Sequence, residues 1–484
     1  MQIAFLPVIS DHKLWRLSIM INPYYLVRLR RERLQGVGGW SGPGARLSLA
    51  AMCANECLVK KEETMKRNWA WTAVLCGVGA LGCSGGAPAG SQQPTILVVG
   101  PTSGSSARNG EEIKNATQIA FDEIGSQIGG QKITLRFLDE GQDEATLTAA
   151  YEAAIADPNV ICGFFNWHSS KALAMEVVAA RHNFPHLFGL GATGELNKRY
   201  ASDPTTYSVW SKGWPDPPKL TINYVSAIED AITNGDWVPT AKTVAVYGED
   251  SAWGHSFGDG IVGQLTAKGW TVVATQYVPA DGQDFRTAVA AIAAQKPALL
   301  VGTFASSAIE TFILQAQQAF TTAGLKPLIV ADGLGWNSDF YVKLASASDS
   351  IVDQIPQFAT HAAKAFSANF AQRVGTPPSP SAAGLAFDYA HFLINVLKKA
   401  QSGAGMTRDN ILDIQRAQIF TGQLTYTGGI LMKEYKYTAV SAPDPVVGEN
   451  YYVFPVLQYS KGNSVVVWPD PLRASPTDRI SSPP

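Results

Sequence analysis

Cysteine is scarce in this chain: 5 in 484 residues. Four of them, Cys53, Cys57, Cys76 and Cys83, fall near the N-terminus. Only Cys162 remains for the main body, so no intrachain disulfide can brace it and its stability must come from a core. Cys162 sits inside the apolar run Val160-Ile161-Cys162-Gly163-Phe164-Phe165, and reads as a small buried hydrophobe rather than a reactive thiol. Charge is also sparse, at 16% of residues with a net value of -2, which removes the electrostatic reason to expect a nucleic-acid partner. Histidine is rare (7 residues); His168 has no partner at metal-ligand spacing, so no metal or other cofactor is expected. No apolar run is long enough to span a bilayer, and no short repeat is evident. What is plentiful is apolar residue, 46% of the chain, enough for large cores and more than one domain.

The N-terminal part differs from the rest. Residues 1–64 show no clear periodicity and carry the basic knot Arg28-Leu29-Arg30-Arg31-Glu32-Arg33; the expectation is an untranslated or disordered extension. Met65-Lys66-Arg67-Asn68 opens a second apparent start and leads into an apolar core ending in Leu81-Gly82-Cys83. A short basic region before an apolar core of this size predicts a secretory signal over 65–83. Its end resembles a bacterial lipoprotein signal, which implies lipidation of Cys83; an ordinary cleaved signal is the alternative. Residues 84–94 then read as a flexible tether.

From residue 95 to about 331, apolar β-branched runs alternate with helix-like segments, and polar or Gly-rich turns close nearly every run. The run at 95–99 ends in Gly100-Pro101-Thr102-Ser103-Gly104, and that at 160–165 in Asn166-Trp167-His168-Ser169-Ser170. Two more end in Gly248-Glu249-Asp250-Ser251 and Thr303-Phe304-Ala305-Ser306. Runs of this kind predict strands buried on both faces, hence parallel sheets covered by helices. Ligands of such sheets bind beyond the carboxyl ends of the strands. Asp143 and Ser169 read as helix N-caps. The break Trp214-Pro215-Asp216-Pro217-Pro218 separates two runs of βα units and predicts two lobes, each with its own sheet. Helices are expected over 381–401 and 408–418, antiparallel strands within 423–468 that include Tyr451-Tyr452-Val453-Phe454 and Val465-Val466-Val467-Trp468, and a disordered end over 471–484.

Two motifs tempt. Gly189-Leu190-Gly191-Ala192-Thr193-Gly194 spells a dinucleotide fingerprint, yet the polar, short segment behind it lacks the helix that motif requires. Gly254-His255-Ser256-Phe257-Gly258 spells a nucleophile elbow, yet the preceding strand ends well before it. A serine hydrolase using Ser256 stays as a minor alternative.

A broader pattern runs through the chain. Gly100-Pro101-Thr102-Ser103-Gly104, Ala120-Phe121-Asp122-Glu123-Ile124, Ser169-Ser170-Lys171-Ala172-Leu173-Ala174, Gly191-Ala192-Thr193, Val246-Tyr247-Gly248-Glu249-Asp250, Trp253-Gly254 and Ala386-Phe387-Asp388 occur in order. Together they resemble the type I periplasmic solute-binding proteins of ABC importers for branched-chain amino acids, amides and urea. The resemblance implies an α/β fold of two Rossmann-like lobes with parallel sheets, joined by three hinge crossings. Lobe 1 would be 95–212 plus about 357–440, and lobe 2 213–356 plus about 441–470. It implies a monomeric, non-enzymatic carrier outside the cytoplasm that closes over an amino acid or amide and serves an ABC permease. A sensor acting on a regulatory partner is the competing reading.

The site residues follow from the resemblance. Ser103 and Asn109 lie in the first turn. Ser169, Ser170, Gly191 and Thr193 would meet a carboxylate. Trp253 stands where the family usually has Tyr, Phe304 holds the corresponding place one strand later, and Asp332 would take the ligand's ammonium. Trp167 is an added aromatic. Each has a plainer reading: Ser169 as a cap, Thr193 as a turn residue, Trp253 and Phe304 as lobe core, Asp332 as a local pair.

Overall fold

The computed structural model describes residues 93–483 and two short strands nearer the N-terminus. The chain divides into two units, Met1–Gly86 and Ala87–Pro484. In the first, β1 (Ser18–Asn22) and β2 (Tyr25–Arg28) pair antiparallel, Ser18 opposite Arg28. The rest of the expected extension, the signal segment, Cys83 and the tether as far as residue 92 lie outside the described residues.

The second unit is built on two sheets. In one, β3 (Thr95–Gly100), β6 (Thr134–Asp139), β7 (Val160–Phe164), β8 (His186–Gly189) and β9 (Trp210–Lys212) run parallel in the order β6-β3-β7-β8-β9. A small ribbon, β4 (Gln127–Ile128) with β5 (Gln131–Lys132), lies beside it. In the other, β10 (Thr243–Glu249), β11 (Thr271–Val278), β12 (Leu299–Thr303), β13 (Leu328–Asp332) and β14 (Val352–Gln354) run parallel in the order β11-β10-β12-β13-β14. β15 (Val456–Ser460) and β16 (Asn463–Trp468) extend that edge antiparallel. Every residue of β7, β12 and β13 is buried, because helices cover both faces. Both lobes share one winding: the second strand lies outside the first, and the third to fifth follow on its other side. Such sheets place their binding crevice at the carboxyl ends, where the order reverses.

Local sequence sets the pieces. Asp143 caps helix Glu144–Ile155 by accepting from the N–H groups of Ala145 and Thr146. Helix Ala107–Glu123 buries Ile113, Ala116, Ile119 and Ala120, and Gly110 lets it close on the first turn: a Cβ there would lie 1.8 Å from the Pro101 carbonyl oxygen. Helix Leu385–Gln401 packs on that helix, with His391 against Glu123 at 3.1 Å. Two expectations need correction. The segment around Tyr452 forms only an isolated bridge to Val447, because Tyr452 and Phe454 point into the core. The Pro-rich end is packed rather than disordered: Ile480 is 1% exposed, and Ser481 exchanges hydrogen bonds with the Gln458 side chain.

The chain passes between the sheets after β9, after β14 and before β15. The first and third passages are locked together by charge. Lys212 Nζ lies 2.8 Å from Asp444 Oδ1, both side chains fully buried, and Lys219 Nζ lies 2.7 Å from Oδ2. Lys212 also donates to the Ala192 carbonyl and Asn197 Oδ1, and its N–H reaches the Pro443 carbonyl at 2.9 Å. Burial alone would raise the Asp444 carboxyl, but Lys212 and Lys219 outweigh it and hold it below the usual carboxylate range. Removing one partner of a buried pair leaves an uncompensated charge. Asp444→Ala should therefore cost about 3–5 kcal/mol in chemical denaturation, well above the effect of truncating an exposed acid.

Candidate functional site

Four tryptophans meet where the carboxyl ends of the two sheets face each other. Trp167 follows β7, and Trp214 lies on the first passage between lobes. Trp253 is the second residue of helix Ala252–Ala267, and Trp336 ends the single turn Leu334–Trp336 behind β13. Trp336 is the hub: its ring centroid lies 5.5 Å from Trp167, 5.5 Å from Trp214 and 5.6 Å from Trp253. With Ser169, Leu190 and Ala305 these rings line a cavity of about 20 Å³. Local backbone explains the placement. Phe165 adopts a φ of 64°, uncommon for a bulky residue, and turns the chain before Trp167. Gly333 has a φ of 96°, and a Cβ there would meet the Phe304 carbonyl oxygen at 2.5 Å, so only glycine starts the Trp336 turn without strain. Ser251 caps the Trp253 helix by accepting from Gly254 N–H at 3.1 Å.

The lobes touch directly across this cavity. The Ala305 carbonyl accepts from Trp167 Nε1 at 2.9 Å and from Ser106 Oγ at 2.8 Å. The Ala305 N–H donates to Glu249 Oε2 within its own lobe, at 2.7 Å. Burial pushes the Glu249 carboxyl up, against the pull of Ser251, the Ala305 N–H and His168. Asn109 Nδ2 donates to the Trp336 carbonyl at 3.1 Å, Arg108 to Ser338 Oγ at 2.5 Å, and Gly194 N–H to Ser256 Oγ at 3.1 Å. These bonds define a closed arrangement. Ser106 Oγ also lies 3.1 Å from His168 Nε2, whose Nδ1 is 3.0 Å from Glu140 Oε1. The order serine–histidine–acid matches a hydrolase triad, yet Ser106 is 2% exposed and its hydrogen is spent on Ala305.

Of the residues expected at the site, Trp167, Ser169 and Trp253 line the cavity. Asn109 instead holds the Trp336 turn. Ser169 begins helix Ser169–Arg181 without capping it; its Oγ accepts from the N–H groups of Ala192 and Thr193 at 3.0 and 3.2 Å. Gly191 N–H is taken by Asn166 Oδ1, and Thr193 caps the next helix. Ser170, half-buried on the same first turn as Ser169, is outside the lining. Ser103 bonds to Asp139, whose carboxyl is held at about 2: burial raises it, but Ser103, Gly141, Thr102 and Gln142 outweigh that. Phe304 points into the lobe core among Tyr247, Phe285 and Phe312. Leu190, Trp214, Ala305 and Trp336 were missed; Trp336 had one usable signal, its position just past an apolar run.

Asp332 lies beneath the cavity rather than in it. Its Oδ1 accepts from the Tyr224 hydroxyl at 2.8 Å, and Oδ2 faces Thr303 Oγ1 at 3.4 Å. Burial, then the nearby Asp353 carboxylate, raise Asp332 well above the usual range. Asp353 is raised by burial too, but it accepts from Tyr459 and from the N–H groups of Gly333, Gly335 and Gln354. It is the better seat for negative charge of the two, and Asp332, buried and outside the cavity lining, is poorly placed to anchor an ammonium. The elbow-like Gly254–Gly258 segment lies inside helix Ala252–Ala267, with His255 paired to Asp250. Among the described residues, no group of three or more His, Cys, Asp or Glu is placed to hold a metal, and no helix is long and apolar enough to cross a membrane.

The sequence profile of a periplasmic binding protein family matches residues 93–440. The chain belongs to that family, the type I periplasmic binding proteins that act as solute-binding components of ABC transporters. No curated protein matches it. Solved structures show the same fold. A solute-binding protein from R. palustris in complex with benzoate is 18% identical, with a TM-score of 0.62, covering 77% of this chain and 94% of that one. The leucine-binding protein LivK from Thermotoga maritima is 18% identical, with a TM-score of 0.61 and coverage of 78% and 100%. A second R. palustris solute-binding protein, in complex with 4-hydroxybenzoate, is 16% identical, with a TM-score of 0.62 and coverage of 81% and 98%.

Two expected outcomes follow. Ser106→Ala removes one of the two donors that reach Ala305 across the cleft, about 0.5–1.5 kcal/mol of closure; X-ray scattering without ligand should give a larger radius of gyration than for the unaltered protein. Asp332→Asn supplies a neutral isostere of the acid. A raised carboxyl contributes stability that is complete below its unfolded pKa and lost as pH rises through the folded value. Melting curves of Asp332→Asn should therefore fall less than those of the unaltered protein as pH rises above the usual carboxylate range.

Proposed function

We propose that this protein captures a small aromatic carboxylic acid in the cleft between its lobes and delivers it to an ABC permease. The observation that carries this reading is the lining: four indole rings and no charged side chain. Flat rings offer large contact area, and aromatic pairs gain about 0.5–1.5 kcal/mol beyond burial. The cavity, about 20 Å³ in this closed arrangement, has room for about one water, so a ligand enters by parting the lobes. The family fold accommodates such ligands, since R. palustris members have been solved with benzoate and 4-hydroxybenzoate.

An amino acid, the first expectation from sequence, has less support. Its ammonium would need an acid in the cleft, and Asp332 is buried outside the lining and bonded to Tyr224. Trp253 would hold the ligand ring, with Ser169 at its polar end. The Ser169 hydroxyl accepts two N–H bonds and keeps its own hydrogen for a ligand. We further read the chain as exported by the segment 65–83 and anchored through a lipid on Cys83, working as a monomer. Mass spectrometry of the native protein tests that: a diacylated N-terminal cysteine at 83 supports it, and an unmodified one refutes it.

Thermal melts of the full chain test the ligand class. A compound at 100 times its dissociation constant stabilises by about 2.7 kcal/mol. Benzoate and hydroxybenzoates should raise the melting temperature while leucine does not. A shift with leucine alone, lost in Asp332→Asn, would instead restore the amino-acid reading.

A further inference from the structure

Resting on the aromatic-acid reading, we infer that the indole N–H groups of Trp214 and Trp336, with the Ser169 hydroxyl, bind the ligand's carboxylate, making this an anion subsite built without a cation. The four indoles of the cleft divide two and two. Trp167 Nε1 is spent on the Ala305 carbonyl and Trp253 Nε1 on Thr303 Oγ1, both at 2.9 Å. Trp214 Nε1 and Trp336 Nε1 are buried and have no acceptor among the described residues. Each of these side chains is 4% exposed, and both line the cavity. A buried donor left unmade is costly and calls for an explanation. Two of them on adjoining rings in one cavity are explained by an acceptor that arrives with the ligand.

The surrounding groups exclude the alternatives. The N–H groups of Gly191, Ala192 and Thr193, just after the lining residue Leu190, already serve Asn166 and Ser169. The Ala305 carbonyl already accepts two bonds from the opposite lobe. The lining side chains therefore present hydrogens and no open acceptor, so they favour a group made only of acceptors and disfavour an ammonium. Ser169 begins helix Ser169–Arg181, whose amino end adds positive potential at the same point. A carboxylate that accepts two or three such bonds is well stabilised even when buried. This separates the cleft's roles: Trp253 and Trp167 shape and close it, while Trp214 and Trp336 read the polar end of the ligand.

The test uses the full chain with benzoate as the probe. With indole nitrogens labelled by ¹⁵N, benzoate should move the Trp214 and Trp336 N–H resonances downfield and leave those of Trp167 and Trp253 near their starting positions. Replacing Trp214 or Trp336 by benzothienylalanine, which puts sulfur in place of N–H at nearly constant shape, should weaken benzoate at least about tenfold, equivalent to about 1.4 kcal/mol. The melting temperature without benzoate should stay unchanged. Binding that leaves both resonances in place, or equal affinity in both replaced proteins, overturns this inference while the aromatic-acid reading stands. No benzoate binding to the unaltered protein overturns both.

Discussion

The Ala305 peptide unit is the constraint on which the closed arrangement depends. Its N–H is fixed within lobe 2 by the buried Glu249, and its carbonyl receives Trp167 and Ser106 from lobe 1. One residue's backbone thus links both sheets at the carboxyl ends of their strands. Because Trp167 spends its N–H there, its ring stands on edge against Trp336. Trp336 is in turn held by Asn109 from the opposite lobe through its carbonyl. The aromatic lining exists in this form only while the lobes are together, so binding and closure are one event rather than two.

Beneath that surface, lobe 2 keeps its own electrostatics private. Asp332 and Asp353 lie side by side, share the Tyr224 hydroxyl, and tie down the glycine turn that presents Trp336. An acid enclosed beside a carboxylate held by protein hydrogen bonds can serve as scaffold without projecting charge into the cavity. The hinge applies the same economy: Asp444 meets two lysines at the crossings, leaving a single buried charge cluster where the chain bends. Charges are used to position the aromatic site and are kept out of it.

The strands were legible in the sequence because both faces of each sheet are covered, which demands unbroken apolar runs such as those of β7 and β13. The strand ends located the cleft, and with it Trp167, Ser169 and Trp253. Side-chain direction was not legible. Adjacent residues of an extended chain face opposite ways, so Phe304 enters the core while Ala305 faces the other lobe. Asp332 likewise sits at a strand end, but its partner Tyr224 is 108 residues away in sequence, and no local pattern reveals that pairing. Trp214 was hidden in a proline-rich break that reads as a linker, although the linker is the hinge and forms one wall of the cavity. The C-terminal end misled for a related reason: its prolines suggest disorder, while Ile480 and the bonds between Ser481 and Gln458 dock it.

A crystal structure of the protein grown with benzoate tests the central claim most directly. The account predicts a benzoate ring against Trp253 with its carboxylate turned toward Ser169 and the indole N–H groups of Trp214 and Trp336, the lobes closed and Asp332 still bonded to Tyr224. An amino acid retained in the cleft with its ammonium on Asp332, or benzoate bound only outside the cavity, would contradict it.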